Sequence, residues 1–277
     1  MQALYQVNRF ITVDTLGEEE LLAKSIFSST DVEAVGQLIA DQSSLKIKKA
    51  WWDIYRSPDH SWNGGKELPG LVGVEAYLNS GKDLKRAVSE EAGGLPRELL
   101  SECVKGIIQA ETFIFEKRGF PSPKAYEEHW DKMYLNVCRY YSHLGLGLRG
   151  WFEHIGYSER AHNLYNRSKS CTVCRKGDGN LTASGSFIDS FHELFVQINM
   201  DGKGIAATAS GNYLRAPDPV CYDSRTHIDK LIGKNISLFN KKEIGELAGG
   251  SQGCDHLVDI VYDLSRAVGH VLMGSEI

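Results

Sequence analysis

A glycine-rich turn near the carboxyl end of the chain brings a thiol and an imidazole to the start of an apolar helix. The turn covers residues 248–253 and is followed by Cys254, Asp255 and His256. Unpaired N–H groups and the positive end of a helix dipole favour a thiolate, so Cys254 is predicted to be a metal ligand or a nucleophile. The alternative is a buried cysteine beside a helix-packing turn, because cysteine is among the most buried residue types.

The other sulfur and imidazole groups that could join this pair lie in the second half of the sequence. Such soft ligands suit zinc, iron or an iron–sulfur cluster, and the sequence does not choose among these three cofactors. The predicted metal ligands are Cys221, Cys254, His256, His192, Cys171 and Cys174.

These residues fall into two subsets. Cys171 and Cys174 have the spacing of one half of a zinc knuckle, but the chain contains no second Cys-x-x-Cys; the alternative is two small cysteines on an edge strand. The other subset, Cys221, Cys254 and His256 with His192, is scattered in sequence, as a site assembled by folding requires.

Three hypotheses about function follow. In the first, the protein is a metal-dependent enzyme that acts on a small molecule, with Asp255 or Glu193 as a general base and the metal as a Lewis acid. In the second, it is a noncatalytic scaffold or carrier that passes metal or an iron–sulfur cluster to an acceptor protein. In the third, Cys254 is a metal-free nucleophile activated by His256; this hypothesis is weaker, because side chains two residues apart at a helix start diverge unless the turn is unusual.

Composition limits the partners. The chain has 277 residues, 42% of them hydrophobic, with a net charge of -5 and no basic runs. We therefore expect no nucleic acid and no membrane as partners. The amino terminus lacks the pattern of a secretory signal and no run of eighteen apolar residues occurs, so we expect a cytoplasmic protein whose cysteines are thiols or ligands. Glycine motifs for nucleotide cofactors are also missing from the sequence.

The chain contains an internal duplication. With a constant shift of 160, residues 4–41 match residues 164–201 without a gap, and Ala92-Gly93-Gly94 later meets Ala248-Gly249-Gly250. We predict a degenerate first repeat at 1–117, a helical connector at 118–162 and a second repeat at 163–277 that carries the site.

Each repeat shows the same order of elements. Alternating apolar residues predict strands near 21–29, 32–40 and 45–55, and again at 183–190, 193–200 and 205–214. Helical spacing follows at 97–117 in the first repeat, and at 224–232, 242–247 and from Asp255 to about Met273 in the second. The predicted fold is α+β: two tandem homologous units, each a three-stranded antiparallel sheet covered by helices, joined by the connector.

Two resemblances support this plan. Residues 175–268 resemble the bacterial domain of unknown function family 2889 through Phe191-His192-Glu193, residues 217–221, Leu231-Ile232-Gly233 and Gly253-Cys254-Asp255-His256-Leu257, where that family has Thr in place of Asp255. The order of strands, Asp-Gly-x-Gly-Ile turn, cysteine loop and final cysteine at a helix start is similar to iron–sulfur scaffold proteins of the IscU and NifU kind. That resemblance implies an IscU-like fold in each unit and matches Cys221 and Cys254 to the second and third cluster cysteines.

Overall fold

The computed structural model describes residues 1–88, 91–156 and 159–274. The parts of the predicted ranges at 89–90, 157–158 and 275–277 lie outside the described residues. No helix in the part of the chain that is described combines the length and the apolar character needed to cross a bilayer.

Nine strands of the described residues form one sheet. Their order across it is β5-β4-β3-β2-β1-β6-β7-β8-β9. The bounds are β1 Gln2–Leu16, β2 Glu20–Ser29, β3 Glu33–Asp41, β4 Ile47–Arg56, β5 Gly64–Glu67, β6 Asn163–Arg175, β7 Leu181–Asp189, β8 Glu193–Met200 and β9 Ala206–Arg215.

The expectation of two separate IscU-like units, each with its own three-stranded sheet, is wrong. All nine strands belong to one sheet, and the overall class is α+β. The reason lies in two strands that the alternation of apolar residues did not reveal, β1 and β6. They are neighbours in the middle of the strand order, so they make the sheet continuous.

The duplication is visible in the pairing of the strands. Ser25 pairs with Gly36 between β2 and β3, and Gly185 pairs with Val196 between β7 and β8, which is the same register after a shift of 160. The irregularities repeat as well. Register shifts between β3 and β4 fall at Glu33/Ala34 and Ile39/Ala40, and those between β8 and β9 fall at Glu193/Leu194 and Asn199/Met200.

One long helix follows the strands of each repeat. Helix α2, Leu95–Ala110, packs on β2 and β3, and α7, Asp255–Gly274, packs on β7. Close approach depends on glycine in both places: a Cβ on Gly36 would lie 2.7 Å from the Leu99 Cβ, and one on Gly185 would lie 3.0 Å from Ile260. The predicted helix from Asp255 is confirmed.

The remaining helices are shorter. They are α1 Gly81–Ala87, α3 Pro123–Met133, α4 Arg139–Ser142, α5 Trp151–Ile155 and α6 Lys241–Ala248. The segment predicted to be helical at 224–232 belongs to a longer 3-10 helix, Pro219–Leu231, in which Asp218 accepts a hydrogen bond from the Val220 N–H at the first turn.

The chain divides into two compact units. The repeat-1 unit consists of Asn8–Tyr126 and Ser158–Ser168, and the repeat-2 unit of Met1–Val7, Glu127–Tyr157 and Lys169–Ile277. All the side chains of the site described next belong to the repeat-2 unit.

Candidate functional site

The glycine turn fixes the position of Cys254. Its N–H donates to the Ala248 carbonyl at 2.8 Å, and its own carbonyl accepts from Val258 at 3.0 Å in the first turn of α7. Gly253 is required in this turn, because a Cβ there would lie 2.1 Å from the Ala248 oxygen. The Arg139 guanidinium of α4 holds the turn by bonding to the Gln252 side chain at 2.7 Å and to the Val220 carbonyl at 3.1 Å.

Cys254 and His256 meet at the start of α7. The Cys254 Sγ is 3.7 Å from the His256 Nδ1. The two side chains do not diverge, which is the exception expected for an unusual turn. Cys254 precedes the first helical residue, Asp255, and therefore does not follow the angular spacing of the helix.

Asp189 lies at the end of β7 and forms the turn into β8. Its Oδ1 accepts from the N–H of Phe191 at 2.8 Å and from the N–H of His192 at 2.6 Å. The same oxygen lies 3.3 Å from the His192 Nδ1. The carboxylate side chain is fully buried, so it needs such partners.

Two imidazoles share this carboxylate. The rings of His192 and His256 are stacked, with centroids 3.8 Å apart and an interplanar angle of 28°. His192 faces Oδ1 of Asp189, and the His256 Nε2 lies 4.0 Å from Oδ2. One ligand atom from each of Asp189, His192 and His256 can be chosen so that all three lie within 4.8 Å of one another. We call these three residues the Asp–His–His site.

The duplicated half shows what the turn alone requires. There Ser29 stands in the place of Asp189, and its hydroxyl accepts from the N–H groups of Asp31 and Val32. Arg56 donates to the Ser29 and Thr30 carbonyls, as Arg215 donates to those of Asp189 and Ser190. The turn therefore forms without the carboxylate and with valine at the position of His192.

Helix α5 lies against the same turn. Trp151 packs on Phe191 with ring centroids 4.7 Å apart, and the His154 Nε2 is 3.1 Å from the Phe191 carbonyl oxygen. Burial lowers the pKa of His154 from its usual value, and the neighbouring His192 adds to this effect. On the other side of the site, Phe187 contacts the His256 ring edge to face at 5.0 Å.

Cys254 also borders a group of buried thiols. Burial raises the pKa of Cys254 to about 11 and that of Cys221 to about 12, and the charges of the two thiolates would repel. Cys138, which is only partly buried, is the third member, and burial raises its pKa as well. The Tyr213 hydroxyl approaches Cys254 and has no well-formed hydrogen bond to any described residue, while burial raises its pKa far above the usual value.

The other predicted site residues lie elsewhere. Cys171 and Cys174 are three apart on β6 and therefore point to opposite faces of the sheet. Glu193 pairs with Ile188, so its side chain shares the face of Ile188 and not that of Asp189. Asp255 is exposed at the start of α7. Of the eight predicted residues, the Asp–His–His site contains His192 and His256, and Cys254 lies against it.

Sequence reasoning missed Asp189. The available signal was an aspartate at a strand end, three residues before a histidine, at a position where the duplicated half has serine. An aspartate before a tight turn is usually interpreted as a turn residue, which explains the omission.

Comparison with known proteins covers part of the chain. Residues 165–269 match the model of a family described as protein of unknown function (DUF2889). The Asp–His–His site and Cys254 lie inside the matched segment, whereas Trp151 and His154 lie before it. A search of curated proteins found no match to this chain.

Proposed function

We propose that this protein is a metal-dependent enzyme that acts on a small molecule, with iron(II) or zinc held by Asp189, His192 and His256. The observation that carries the proposal is the convergence of two imidazoles on one buried carboxylate, with ligand atoms within 4.8 Å. The turn in the duplicated half has Ser29 and Val32 in place of Asp189 and His192, so the turn does not need these two groups.

The donor set agrees with this assignment. Two histidines and one carboxylate are typical of catalytic iron(II) and zinc sites that keep positions open for water or substrate. A metal bound there would polarise a substrate oxygen and lower the pKa of a bound water. Cys254, 3.7 Å from the His256 Nδ1, would orient that ring so that Nε2 faces the metal.

The duplicated half supplies the variants for the test. Asp189→Ser with His192→Val reproduces the residues of the first turn, Ser29 and Val32, and His256→Ala removes the third group. We expect wild type, reconstituted anaerobically with iron(II) or zinc, to hold about one ion per chain by mass spectrometry. The metal content of both variants should be at least about tenfold lower. His60→Ala, an exposed histidine, is the matched control and should leave the metal content unchanged.

Stability separates a lost ligand from a lost fold. The unfolding free energy of the apo double variant should lie within about 1 kcal/mol of that of apo wild type, because the serine keeps the turn bonds. A double variant that binds the full amount of metal, or a wild type that takes up none, would refute the metal site.

A second candidate function has one specific observation in its favour. The His256 imidazole lies between a thiol and a carboxylate: its Nδ1 is 3.7 Å from the Cys254 Sγ and its Nε2 is 4.0 Å from the Asp189 Oδ2. This is the order of a nucleophile, a base and an orienting acid. The raised pKa of Cys254 opposes it, since the thiol stays neutral near pH 7. Rapid native-state alkylation of Cys254 by iodoacetamide at pH 7, abolished by His256→Ala, would favour this candidate over the metal site.

A further inference from the structure

A short loop of the repeat-2 unit, residues 144–149, exposes apolar side chains beside an arginine. Its sequence is Leu-Gly-Leu-Gly-Leu-Arg, and we call it the leucine–arginine loop. Leu146 is 64% exposed and Leu148 76% exposed. Single exposed leucines are ordinary on a protein surface, but three at alternate positions of one loop form a small apolar surface.

The loop is held in one conformation. Asp218, which is buried, accepts at Oδ2 from the N–H groups of Leu148 at 2.6 Å and Arg149 at 3.0 Å, and at Oδ1 from Val220 at 2.9 Å. Immediately after the loop, Glu127 accepts from the Phe152 N–H at 2.9 Å. A buried carboxylate used to hold exposed leucines in place favours a surface prepared for a ligand, since preorganisation lowers the cost of binding.

Arg149 supplies the charge. Its side chain is exposed, and among the described residues no carboxylate forms an ion pair with its guanidinium. Asp218 and Glu127, the carboxylates that contact this segment, accept hydrogen bonds from its backbone N–H groups. An arginine fork with open donors is suited to a carboxylate.

The loop leads directly to the Asp–His–His site. Arg149 is close enough to His154 for its charge to act on that imidazole. His154 and Trp151, on the helix that follows the loop, contact Phe191, which lies between Asp189 and His192 in the turn. A ligand held by the loop would therefore lie next to the helix that contacts the turn of the proposed metal site.

We infer that the leucine–arginine loop binds an amphiphilic carboxylic acid, with its hydrocarbon on Leu146 and Leu148 and its carboxylate on Arg149. This inference rests on the proposed function, because it names the substrate class of the same site. The few side chains involved expose too small a surface for a protein partner, because a stable protein interface buries about 800 Å² on each side. The net charge of -5 also disfavours an anionic membrane.

Calorimetric titration with decanoate, below its aggregation concentration and at fixed ionic strength, tests the inference on the full-length, metal-loaded protein. Decanoate should bind saturably, and acetate and decyltrimethylammonium should not. Arg149→Gln should weaken decanoate binding about tenfold or more, as the loss of a charge-assisted bond predicts. Leu148→Ser should weaken it as well.

Two matched variants control for general effects of the substitutions. Leu238→Ser removes a leucine of the same 76% exposure elsewhere in the repeat-2 unit, and Arg225→Gln removes another exposed arginine. Both should bind decanoate as wild type does. All the substituted side chains are exposed, so unchanged thermal melts are expected and would verify folding.

Three results would overturn the inference: no saturable decanoate binding, binding that Arg149→Gln leaves unchanged, or equal binding of the cationic amphiphile. Co-sedimentation with phosphatidylcholine vesicles, lost in Leu148→Ser, would assign the loop to a lipid surface and would overturn it as well. Metal content measured on the same samples distinguishes the two proposals. Metal without decanoate binding refutes the loop assignment alone, and decanoate binding without metal refutes the proposed function.

Discussion

At the scale of single residues, the Asp189 carboxylate has two kinds of partner, backbone N–H groups and imidazoles. One oxygen accepts from backbone N–H groups and holds the turn, while both oxygens face imidazoles. In the other repeat a serine hydroxyl is enough for the backbone bonds. The buried carboxylate therefore makes an interaction that the turn does not need, and this supports its assignment as a ligand.

The buried thiols give a prediction about pH. Burial raises the pKa of Cys221 from an ordinary value near 9 to about 12, so the folded protein keeps its proton where the unfolded chain loses it. Its contribution to stability is complete below pH 9 and is lost as the pH rises through about 12. Denaturant melts at pH 7 and pH 10 should show wild type losing more unfolding free energy than Cys221→Ala, by at most about 1.4 kcal/mol per pH unit.

The pH 7 melts measure the packing cost of removing the sulfur and serve as the reference for the comparison. A wild type and a Cys221→Ala variant that lose equal stability between pH 7 and pH 10 would contradict a buried neutral thiol at this position.

Part of the site could be predicted from residue types. His192, Cys254 and His256 were identified because they are reactive residues whose aligned positions in the first repeat hold neither cysteine nor histidine. Asp189 was missed because an aspartate before a tight turn is typical of a turn residue, and its contact with His256, 67 residues away, has no local signal. The Cys-x-x-Cys spacing of Cys171 and Cys174 suggested one metal site, but on a strand that spacing places the two sulfurs on opposite faces.

At the scale of elements, each long helix depends on a glycine in the sheet beneath it. The prediction concerns Gly36, where an added Cβ would lie 2.7 Å from the Leu99 Cβ and 3.3 Å from the Leu99 carbonyl carbon. These atoms are on or next to the backbone of α2, so the helix itself would have to move. Gly36→Ala should lower the unfolding free energy by about 1–3 kcal/mol in a denaturant melt.

Gly177 provides the control, because a Cβ added there would meet no atom of the other described residues within 4 Å. Gly177→Ala should leave stability unchanged or raise it slightly, since alanine restricts the unfolded chain. Equal effects of the two substitutions would mean that α2 does not pack on Gly36 as described.

Strands were harder to predict than helices, for a physical reason that β6 illustrates. Its inward positions include Arg167 and Lys169, so the alternation of apolar and polar residues is interrupted along a strand that is nevertheless buried on one side. The long helix α7 has apolar residues at three- and four-residue spacing along most of its length, and its start was predicted at the correct residue.

At the scale of the whole molecule, the middle of the sheet contains a buried ion pair. The Lys169 Nζ on β6 lies 2.8 Å from the Asp263 Oδ2 on α7, and both side chains are nearly inaccessible. Lys169→Met should cost about 3–5 kcal/mol in unfolding free energy, because it leaves a buried carboxylate without this cation. The double variant Lys169→Met/Asp263→Leu should recover most of the loss in the same thermal or denaturant melts.

Lys241 of α6, which forms a partly exposed ion pair with Asp259 of α7, is the matched control. Lys241→Met should cost less than about 1 kcal/mol. A loss of similar size for both lysines would show that the Lys169 pair is not shielded from water.

The overall architecture could not be read from the repeat alone. The duplication indicated two similar units, and the pairing registers of their strands do agree. Whether such units keep separate sheets depends on the strands that border each one, and these were the unassigned β1 and β6. An internal repeat therefore predicts the order of elements within each copy. It does not predict whether the copies form separate sheets or one continuous sheet.

The paired register shifts have a consequence for descent. The loop between β3 and β4 closes with a bond from the Asp41 N–H to the Lys46 carbonyl, and the loop between β8 and β9 with one from Asp201 to Ile205, so one loop is a residue longer. Both register shifts nevertheless occur at equivalent places in the two repeats. A bulge is a feature of backbone hydrogen bonding, so it persists when the side chains around it change. We therefore expect distant homologues of this chain to share the positions of these bulges even where their sequences no longer resemble it.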